Sequence, residues 1–489
     1  MALVLIGFMG AGKSTLAAEL AARRGRQPID SDELLVRRFG HSIAHEFELN
    51  GEQAFRAAEE ETVCSVLANA SAGDVVALGG GSVQSERVGE TLAGHLTVLV
   101  EAEPGVAWER ATSGPDGSER PLARDREAFE RLYAQRRERY EQLADATLLW
   151  ADSASGSYPV IVGSGLLSPE RLAALWPLDR GASRAFCVSD RNVAPLYAKR
   201  LGEMAELIEI DPGETHKTLA SAEAVWSALA AGGMTRADHV VALGGGVVGD
   251  LAGFCAATYQ RGVPVVHVPT SLVAQVDSAY GGKTGVDLPA AKNYVGAYHQ
   301  PAAVLVDPDA LATLPPAELS AGYAEVLKTA LIAGGGLWER VAAGAPVDER
   351  TILACARTKL AVVAEDERDA GRRQVLNLGH TVGHAIEAVT GYERYRHGEA
   401  VALGLLVALR LSGLDGLREQ VGALLREHGL PVALAGDVEV EQVLAATRRD
   451  KKRTGEHVPF VLLDAPGETR TGCRVAEGEL RAAVTELRG

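Results

Sequence analysis

The sequence lacks the features expected of a secreted, membrane-spanning or nucleic-acid-binding protein. Its five cysteines are scattered and no Cys-x-x-Cys motif occurs, which argues against a disulfide framework and against a thiolate zinc site. There is no run of eighteen apolar residues, and no basic stretch precedes the short apolar start, so neither a membrane span nor a signal peptide is expected. The net charge of −16 disfavours nucleic acid and anionic membrane surfaces. We therefore expect a cytoplasmic protein with small-molecule partners.

What the sequence does have is length, apolar residues and glycine. Its 489 residues suggest two to four domains, and its hydrophobic content of 47% is sufficient for several cores. The 54 glycines fit many tight strand-to-helix turns and ligand sites that are lined by backbone.

A nucleotide-binding motif opens the chain. Residues 2–6 read as a buried parallel strand, and the string GFMGAGKST follows it directly, ahead of a helical pattern. Gly7, Gly12, Lys13 and Ser14 match the phosphate-binding loop G-x-x-x-x-G-K-[ST]. Glycines let backbone N–H groups cradle phosphates, while Lys13 would neutralise phosphate oxygens and Ser14 would bind Mg²⁺.

The residues after this loop predict a binding site for a second ligand, one that is acidic. Two carboxylates follow a short apolar stretch, so one can serve the metal and the other can receive a hydroxyl group. A second glycine loop and three arginines come next, and arginine pairs bidentately with carboxylates. Any one of these arginines alone is typical of a solvated surface, but together they predict a pocket for a small acidic, hydroxylated acceptor. The residues concerned are Asp30, Asp32, Arg56, Gly79, Gly80, Gly81, Arg120 and Arg136.

Residues 1–148 resemble shikimate kinase. The motifs that carry the resemblance are GFMGAGKST, the Asp-Ser-Asp pair, GE..FR..E, LGGG, ERPL and R...Y...AD, in the family's order and spacing. The resemblance implies that ATP and Mg²⁺ bind at Gly7, Gly10, Gly12, Lys13, Ser14, Thr15 and Asp30. It implies that shikimate binds at Asp32, Arg56, Gly79, Gly80, Gly81 and Arg136, with Lys13, Asp32 and Arg120 taking part in catalysis and Arg120 on a lid.

This segment departs from the family at two places. Glu138 stands where the family usually has a proline. The family's final helix, which helps frame the adenine, is not expected here, because ADATLLW runs straight into the small polar stretch from Asp152 to Ser157. We interpret that stretch as a linker.

From Tyr158 onward, short β-branched runs alternate with helical stretches, which predicts a covered parallel sheet. The turn from Gly244 to Asp250 follows a strand and precedes a helix, so its backbone amides suit a phosphate. Four polar residues farther on are too closely spaced to belong to a core, namely Asp277, Lys283, Lys292 and Asn293.

A metal site is predicted in the last third of the chain. His380 and His384 are four residues apart in NLGHTVGHAIE, which places both imidazoles on one face of a helix. His397 follows, and Glu325 precedes them on another helical segment. Imidazoles and one carboxylate suit a zinc-like cation with an open coordination position. Spacing alone would make both His380 and His384 ligands.

Residues from Tyr158 to the C-terminus resemble 3-dehydroquinate synthase. The strings are LGGGVVGD, PTSLVAQVDSAYGGKTGVD, AAKN, GYAEVLK, LNLGHTVGHAIE, RHGEAVALG and DKK. The resemblance implies Zn²⁺ or Co²⁺ on Glu325, His380 and His397, and it assigns His384 to the substrate instead. It also implies a homodimer, in which Arg261 reaches the substrate phosphate of the neighbouring subunit.

The same resemblance assigns the other polar residues. NAD⁺ would be bound by Asp190, Glu214, Lys217, Gly244, Gly245, Gly246, Val247, Gly249, Asp250, Thr270, Ser271, Asp277, Lys283, Lys292 and Thr313. Substrate binding and catalysis would involve Lys283, Lys292, Asn293, Lys328, Lys359, Arg373, Asn377, His384 and one of Lys451 and Lys452.

The predicted fold is α/β from the N-terminus to residue 315 and helical after it. Residues 1–152 are expected to form a phosphate-loop kinase domain with a parallel sheet and helices on both sides. Residues 153–315 would form an NAD-binding α/β half, and residues 316–489 an all-α half that binds metal and substrate.

The expected function is a bifunctional enzyme of the shikimate pathway. One alternative keeps the synthase and makes the first part a nucleotide-binding regulatory domain without kinase activity. A second alternative is another sugar-phosphate cyclase, against which the carboxylate-binding pair Lys359 and Arg373 argues. A polyol dehydrogenase would not need the DKK, Lys292 and Asn293 set.

Overall fold

The chain folds into two compact units. The computed structural model describes residues 1–113, 125–179, 181–289, 291–448 and 458–488. Unit 1 comprises Met1–Trp150, Pro159–Arg184 and Arg200–Gly202. Unit 2 comprises Ala151–Tyr158, Ala185–Lys199 and Glu203–Gly489. Among the described residues, no helix is long and apolar enough to cross a membrane.

Unit 1 is built on a parallel sheet. Its elements are β1 (Leu3–Ile6), α1 (Lys13–Ala22), β2 (Ile29–Asp30), α2 (Ser31–Phe39), α3 (Ile43–Asn69), β3 (Val75–Ala77), α4 (Glu86–Leu92), β4 (Leu96–Val100), α5 (Pro104–Ser113), α6 (Arg126–Leu143), most of β5 (Ala146–Ser153) and of β6 (Gly156–Val162), and α7 (Pro169–Leu175). The strand order begins β2-β3-β1-β4-β5, and each of these pairs is parallel. The central strand β1 is buried along its whole length, as its apolar run predicts.

Local sequence sets the helix ends of unit 1. Asp30 caps α2 by accepting hydrogen bonds from the backbone of Asp32 and Glu33, and Gly40 ends that helix with a φ of 76°. Asp125 caps α6 in the same way. Asp30 is also the last residue of β2 and accepts a hydrogen bond from the hydroxyl of Ser14 at the start of α1, so the start of α2 lies beside the loop that follows β1.

The predicted linker from Asp152 to Ser157 is wrong, because β5 continues to Ser153 and β6 begins at Gly156. Beyond it, α7 belongs to unit 1 and is held to the end of α1. The guanidinium of Arg23 donates to the carbonyl oxygen of Pro177 at 2.5 Å, and that of Arg24 donates to the carbonyl oxygen of Ala174. Unit 1 therefore contains a helix, α7, after its fifth strand, although the sequence predicts none there.

Unit 2 begins with an α/β part. Its elements are β7 (Ala185–Asp190), α8 (Ala194–Tyr197), β8 (Glu206–Ile210), α9 (Leu219–Ala231), β9 (His239–Gly244), α10 (Gly246–Thr258), β10 (Val265–Pro269), β11 (Lys283–Leu288), β12 (Ala291–Tyr298) and β13 (Ala303–Val306). The strand order β13-β10-β9-β7-β8 is parallel throughout, which confirms the predicted covered sheet. Strands β11 and β12 form a separate antiparallel hairpin.

The rest of unit 2 is mainly helical. Its elements are α11 (Pro316–Ala333), α12 (Gly335–Ala342), α13 (Glu349–Glu365), α14 (His380–Val389), α15 (His397–Leu411), α16 (Asp415–Glu427), α17 (Val440–Thr447), β14 (Phe460–Ala465), β15 (Glu468–Cys473) and α18 (Glu477–Thr485). The predicted helical half is confirmed, except that β14 and β15 pair as an antiparallel hairpin, so this half is not all-α. Helix α11 is buried on nearly all sides between Ala321 and Ile332, which places its polar residues inside the protein.

Candidate active sites

The phosphate-binding loop of unit 1 connects β1 to α1. Gly12 immediately precedes the helix with a φ of 92°, a left-handed conformation that glycine adopts without strain. Lys13 is buried, and its Nζ donates to the carbonyl oxygens of Gly7 at 2.8 Å and Phe8 at 3.0 Å. Gly10 lies in the same loop and Thr15 in the first turn of α1. The loop thus combines a cation with a helix N-terminus, as phosphate binding requires.

A pair of oxygen ligands lies beside this loop. The hydroxyl of Ser14 donates to Oδ2 of Asp30 at 2.6 Å. The other carboxylate oxygen of Asp30 accepts the backbone N–H of Asp32 at 2.9 Å, which fixes its orientation. A hydroxyl and a carboxylate held together in this way are hard ligands suited to Mg²⁺.

The predicted acceptor residues converge at the second glycine loop. A side chain at Gly79 would collide with the carboxylate of Asp32, and one at Gly81 would collide with the guanidinium of Arg56. Arg56 is oriented by Glu59, whose Oε2 lies 2.6 Å from its Nη1. The ends of two charged side chains therefore lie directly against the backbone of this loop, and a side chain at either glycine would displace them.

The same loop is held from the other side by α6. The carbonyl oxygen of Gly80 accepts hydrogen bonds from Nη1 of Arg136 at 3.0 Å and from the hydroxyl of Tyr140 at 2.5 Å. Burial raises the pKa of Tyr140 strongly, so this hydroxyl keeps its proton for the hydrogen bond. Arg120, the predicted lid residue, lies outside the described residues.

In unit 2, the glycine turn lies at the carboxyl end of β9. Gly244 ends the strand, Gly245 caps α10, and Val247, Gly249 and Asp250 lie within the helix. The backbone N–H of Thr270 donates to the carbonyl oxygen of Gly244 at 3.0 Å, which brings Thr270 and Ser271 to the same sheet edge. This is the edge at which ligands of open parallel sheets bind.

Two other predicted cofactor residues, Asp190 and Thr313, hydrogen-bond within the α/β part. Asp190 is the last residue of β7, and its Oδ1 accepts the backbone N–H groups of Asn192 and Val193 at 2.8 and 3.0 Å. The hydroxyl of Thr313 lies 2.7 Å from the hydroxyl of Tyr197.

Lys217 is the centre of a buried charge cluster near the glycine turn. Its Nζ lies 2.8 Å from Glu214 Oε1, 3.2 Å from Asp250 Oδ2 and 2.9 Å from Asn293 Oδ1. Burial would lower the pKa of Lys217, but Asp250 and Glu214 outweigh burial and raise that pKa. The lysine is therefore a fixed cation within an acidic cluster.

A second buried cluster surrounds Asp277. The Nζ of Lys328 lies 2.6 Å from one carboxylate oxygen, and Lys359 forms an ion pair with the other. Lys328 also lies 2.5 Å from Glu325. Burial is the largest influence on Lys359 and lowers its pKa to about 8, although Asp277 acts in the opposite direction.

Three more predicted residues, Arg373, Lys283 and Asn377, have defined partners in unit 2. Arg373 is 1% exposed, and its Nη2 donates to the carbonyl oxygen of Gly281 at 2.9 Å. Lys283 Nζ lies 2.5 Å from Asp369 Oδ2. The side-chain amide of Asn377 donates to the carbonyl oxygen of Gln374 at 3.0 Å.

Glu325, His380 and His397 form a compact group of potential metal ligands. One nitrogen or oxygen atom from each lies within 4.8 Å of the others. Oε1 of Glu325 is 3.5 Å from Nε2 of His380 and 3.2 Å from Nε2 of His397. The set fits a zinc-like cation in type and number of donors, since two imidazoles and a carboxylate leave one position open.

The electrostatics of this group also fit a divalent cation. Both carboxylate oxygens of Glu325 are buried, and their near neighbours are Lys328 Nζ at 2.5 Å and Nε2 of His397 at 3.2 Å. Burial would lower the pKa of His397, but the carboxylates of Glu325 and Glu387 outweigh burial and raise that pKa. The surroundings therefore favour positive charge at this point, which a cation supplies in place of the proton.

His384 lies in a neighbouring group. Its ring centroid is 5.3 Å from that of His380 and 6.0 Å from that of His397. His384, Glu387 and His397 also offer ligand atoms within 4.8 Å of one another. Glu387 is buried, and its two oxygens lie 3.0 Å from Lys292 Nζ and 3.3 Å from His397 Nδ1.

Comparison with known proteins identifies both units. Family models of the 3-dehydroquinate synthase N-terminal and C-terminal parts match residues 207–321 and 322–453. The 3-dehydroquinate synthase of Halorhodospira halophila is 44% identical over 337 residues, covering 65% of this chain and 93% of its own. The chain belongs to the 3-dehydroquinate synthase family. The shikimate kinase model matches residues 9–158, so the synthase is fused to a shikimate kinase domain, the composition of a bifunctional shikimate-pathway enzyme.

Solved structures agree with the synthase fold. A 2-epi-5-epi-valiolone synthase from Streptomyces hygroscopicus with NAD⁺ and Zn²⁺ bound is 27% identical, with a TM-score of 0.62, covering 69% of this chain and 98% of its own. A 2-deoxy-scyllo-inosose synthase complexed with carbaglucose-6-phosphate, NAD⁺ and Co²⁺ is 25% identical, also with a TM-score of 0.62, covering 70% and 100%.

Several site residues of the synthase and the kinase domain were not predicted. Glu59 orients Arg56, and the signal was its position three residues later on the same helix face. Glu387 lies seven residues after His380, again on one face of the helix, and that spacing was the available signal. The hydroxyl of Tyr158 accepts the backbone N–H of Gly281 at 3.2 Å, a long-range contact for which the sequence has no signal. Of the predicted residues, Lys451 and Lys452 lie outside the described part of the synthase.

Proposed function

We propose that this enzyme phosphorylates shikimate with ATP and Mg²⁺, and converts 3-deoxy-D-arabino-heptulosonate 7-phosphate into 3-dehydroquinate with release of phosphate. The second reaction would use NAD⁺ and Zn²⁺ or Co²⁺. The observation that carries the kinase assignment is the acceptor pocket, in which Asp32 and Arg56 pack on a bare glycine loop. A regulatory domain that only sensed a nucleotide would need neither side chain.

In the kinase reaction, the chain would act mainly by positioning and charge neutralisation. Arg56 and Arg136 would hold the shikimate carboxylate, and Asp32 would accept a hydrogen bond from the ring hydroxyl that is phosphorylated. Lys13 would move from the loop carbonyl oxygens to the phosphates. Ser14 and Asp30 would hold Mg²⁺. In-line transfer of the γ-phosphoryl group to the hydroxyl then follows.

In the synthase reaction, the buried lysines would bind the substrate anion. Lys359 and Arg373 would hold the carboxylate, while Lys283, Lys328 and Asn377 would hold hydroxyl or phosphate oxygens together with His384. Glu325, His380 and His397 would hold the metal, which would supply polarisation of a substrate oxygen, while NAD⁺ would supply a hydride acceptor and donor. Asp190, Glu214 and Lys217 would bind the cofactor together with the glycine turn, Gly244–Asp250.

We also propose a cytoplasmic homodimer formed through the synthase part. Free cysteines at all five positions suit a reducing compartment. Arg261 lies in an exposed turn with a φ of 71°, which supports its predicted role of reaching a neighbouring subunit. Light scattering would measure the mass in solution, and a monomer with full synthase activity would contradict the role of Arg261.

The proposal is tested by two assays on the purified full-length protein. With ATP, Mg²⁺ and shikimate it should form ADP in proportion to shikimate consumed. With the seven-carbon sugar acid phosphate, NAD⁺ and Co²⁺ it should release inorganic phosphate. Phosphate release without shikimate-dependent ADP formation would favour the regulatory alternative for unit 1.

A further inference from the structure

Glu387 occupies a position between the metal ligands and the cofactor residues. It lies on α14, seven residues after His380, and its side chain is almost completely buried. Its Oε2 is 3.3 Å from Nδ1 of His397, and its Oε1 is 3.0 Å from Nζ of Lys292. A buried carboxylate is costly unless it is paired, and Glu387 is paired on both of its oxygens.

The two nitrogens of His397 face different carboxylates. Nε2 lies 3.2 Å from Glu325, while Nδ1 lies 3.3 Å from Glu387. A neutral imidazole carries one proton, so a proton on Nδ1 that is donated to Glu387 leaves the lone pair of Nε2 directed at Glu325 and His380. That is the tautomer a metal bound by Glu325, His380 and His397 requires.

The other oxygen of Glu387 connects this ligand to the cofactor half. Lys292 Nζ also lies 3.6 Å from Oε1 of Glu214, and the same Glu214 oxygen lies 2.8 Å from Lys217. A continuous run of alternating charges therefore links His397 to the Lys217 cluster beside the glycine turn.

We propose that Glu387 is a positioning residue, which fixes the tautomer and orientation of the metal ligand His397 and ties it through Lys292 to the cofactor site. This inference rests on the proposed metal-dependent synthase function. Glu387 touches neither metal nor substrate in this role. Hydrogen-bond partners of this kind raise ligand basicity and metal affinity.

The test measures Co²⁺ affinity of the full-length protein by competition with a chelator, together with the visible spectrum of bound Co²⁺. Glu387→Gln keeps the size of the side chain and removes its charge, so it should weaken Co²⁺ binding by about 10- to 100-fold. It should also change the intensity of the Co²⁺ bands, because the geometry of His397 is loosened. A purely structural role would lower the melting temperature of the metal-free protein and leave the Co²⁺ affinity unchanged.

A matched control comes from Glu399, which follows His397 by two residues and binds the backbone N–H of Arg396 at 2.8 Å. Glu399→Gln is expected to keep wild-type Co²⁺ affinity. Glu387→Asp is a second variant for the case in which Glu387→Gln misfolds. It keeps the negative charge that pairs with Lys292, but its shorter side chain withdraws the carboxylate oxygen from Nδ1 of His397. It should weaken Co²⁺ binding to an intermediate extent.

The outcomes separate this inference from the proposed function. If wild-type protein binds no Co²⁺, the metal-dependent function itself fails. If wild type binds Co²⁺ and both Glu387 variants bind it equally well, only the positioning role is overturned. If Glu387→Gln abolishes binding while Glu325→Gln retains it, Glu387 is a ligand rather than a positioning residue, and the proposal is again overturned.

Discussion

Lys328 is enclosed by two carboxylates inside unit 2, and replacing it by methionine should destabilise that unit strongly. Its side chain is 1% exposed, and its Nζ lies 2.6 Å from Asp277 and 2.5 Å from Glu325. Asp277 would still be paired with Lys359 in the variant, but Glu325 would lose its lysine and keep only the imidazoles of His397 and His380 beside it. Breaking a buried ion pair by removing one partner costs about 3–5 kcal/mol, because the remaining charge is left uncompensated.

Lys283→Met is the matched control, because Lys283 also forms a close ion pair but is 49% exposed. Exposed pairs contribute about 0–1 kcal/mol, so this variant should be nearly as stable as the wild type. Both variants would be unfolded in urea without metal, and hydrogen exchange of peptides from α11 would report the stability of unit 2 separately from that of unit 1.

Adding Glu325→Gln to Lys328→Met should restore part of the lost stability, because it removes the uncompensated carboxylate. Bound Co²⁺ should likewise reduce the cost of Lys328→Met by neutralising Glu325. The reasoning would be refuted if Lys328→Met and Lys283→Met lowered the free energy of unfolding by the same amount, or if the added substitution destabilised the protein further.

Three other predictions follow from the two sites. Since burial lowers the pKa of Lys359 to about 8, the synthase KM should rise above pH 8 as this lysine loses its charge, and Lys359→Arg should flatten that rise in steady-state assays between pH 7 and 9.5. Arg56→Ala should weaken shikimate binding by roughly 10- to 100-fold through loss of a charged hydrogen bond, with ATP affinity unchanged in calorimetry; equal shikimate affinity would remove Arg56 from the acceptor site. A fragment of residues 1–184 should melt at a higher temperature and bind ATP more tightly than residues 1–152, because α7 packs within unit 1; equal values would show that α7 is dispensable.

The sequence was sufficient to predict most of the fold, because buried parallel strands and the turns after them leave strong local patterns. The strand and loop at Gly7 to Ser14, and the helix that carries His380, are examples. The strands that replace the expected linker were not predictable, because small polar residues such as those from Asp152 to Ser157 have low intrinsic β-propensity. In the structure this stretch forms the end of β5 and the start of β6, which are neighbours in the sheet and are joined by only two residues.

In the sites, too, local features were predictable from the sequence and long-range contacts were not. Residue types and short spacings predicted the arginines and the glycine loop of the acceptor pocket. They did not predict the ion pairs that cross the fold, such as Lys292 with Glu387, 95 residues apart in the chain. Such pairs depend on tertiary packing, and a sequence shows only that a charged residue is present. Spacing alone made both His380 and His384 ligand candidates, whereas the resemblance assigned His384 to the substrate; in the structure Glu325 groups with His380 and His397.

The central claim, two independent reactions in one chain, is tested most directly by measuring both activities in two inactivating variants of the full-length protein. Lys13→Ala should lower shikimate-dependent ADP formation by at least about a hundredfold and leave phosphate release from the seven-carbon substrate near the wild-type rate. His397→Ala should abolish that phosphate release and lower the bound metal while ADP formation persists. Loss of both activities in either correctly folded variant, or persistence of phosphate release in His397→Ala, would contradict the account.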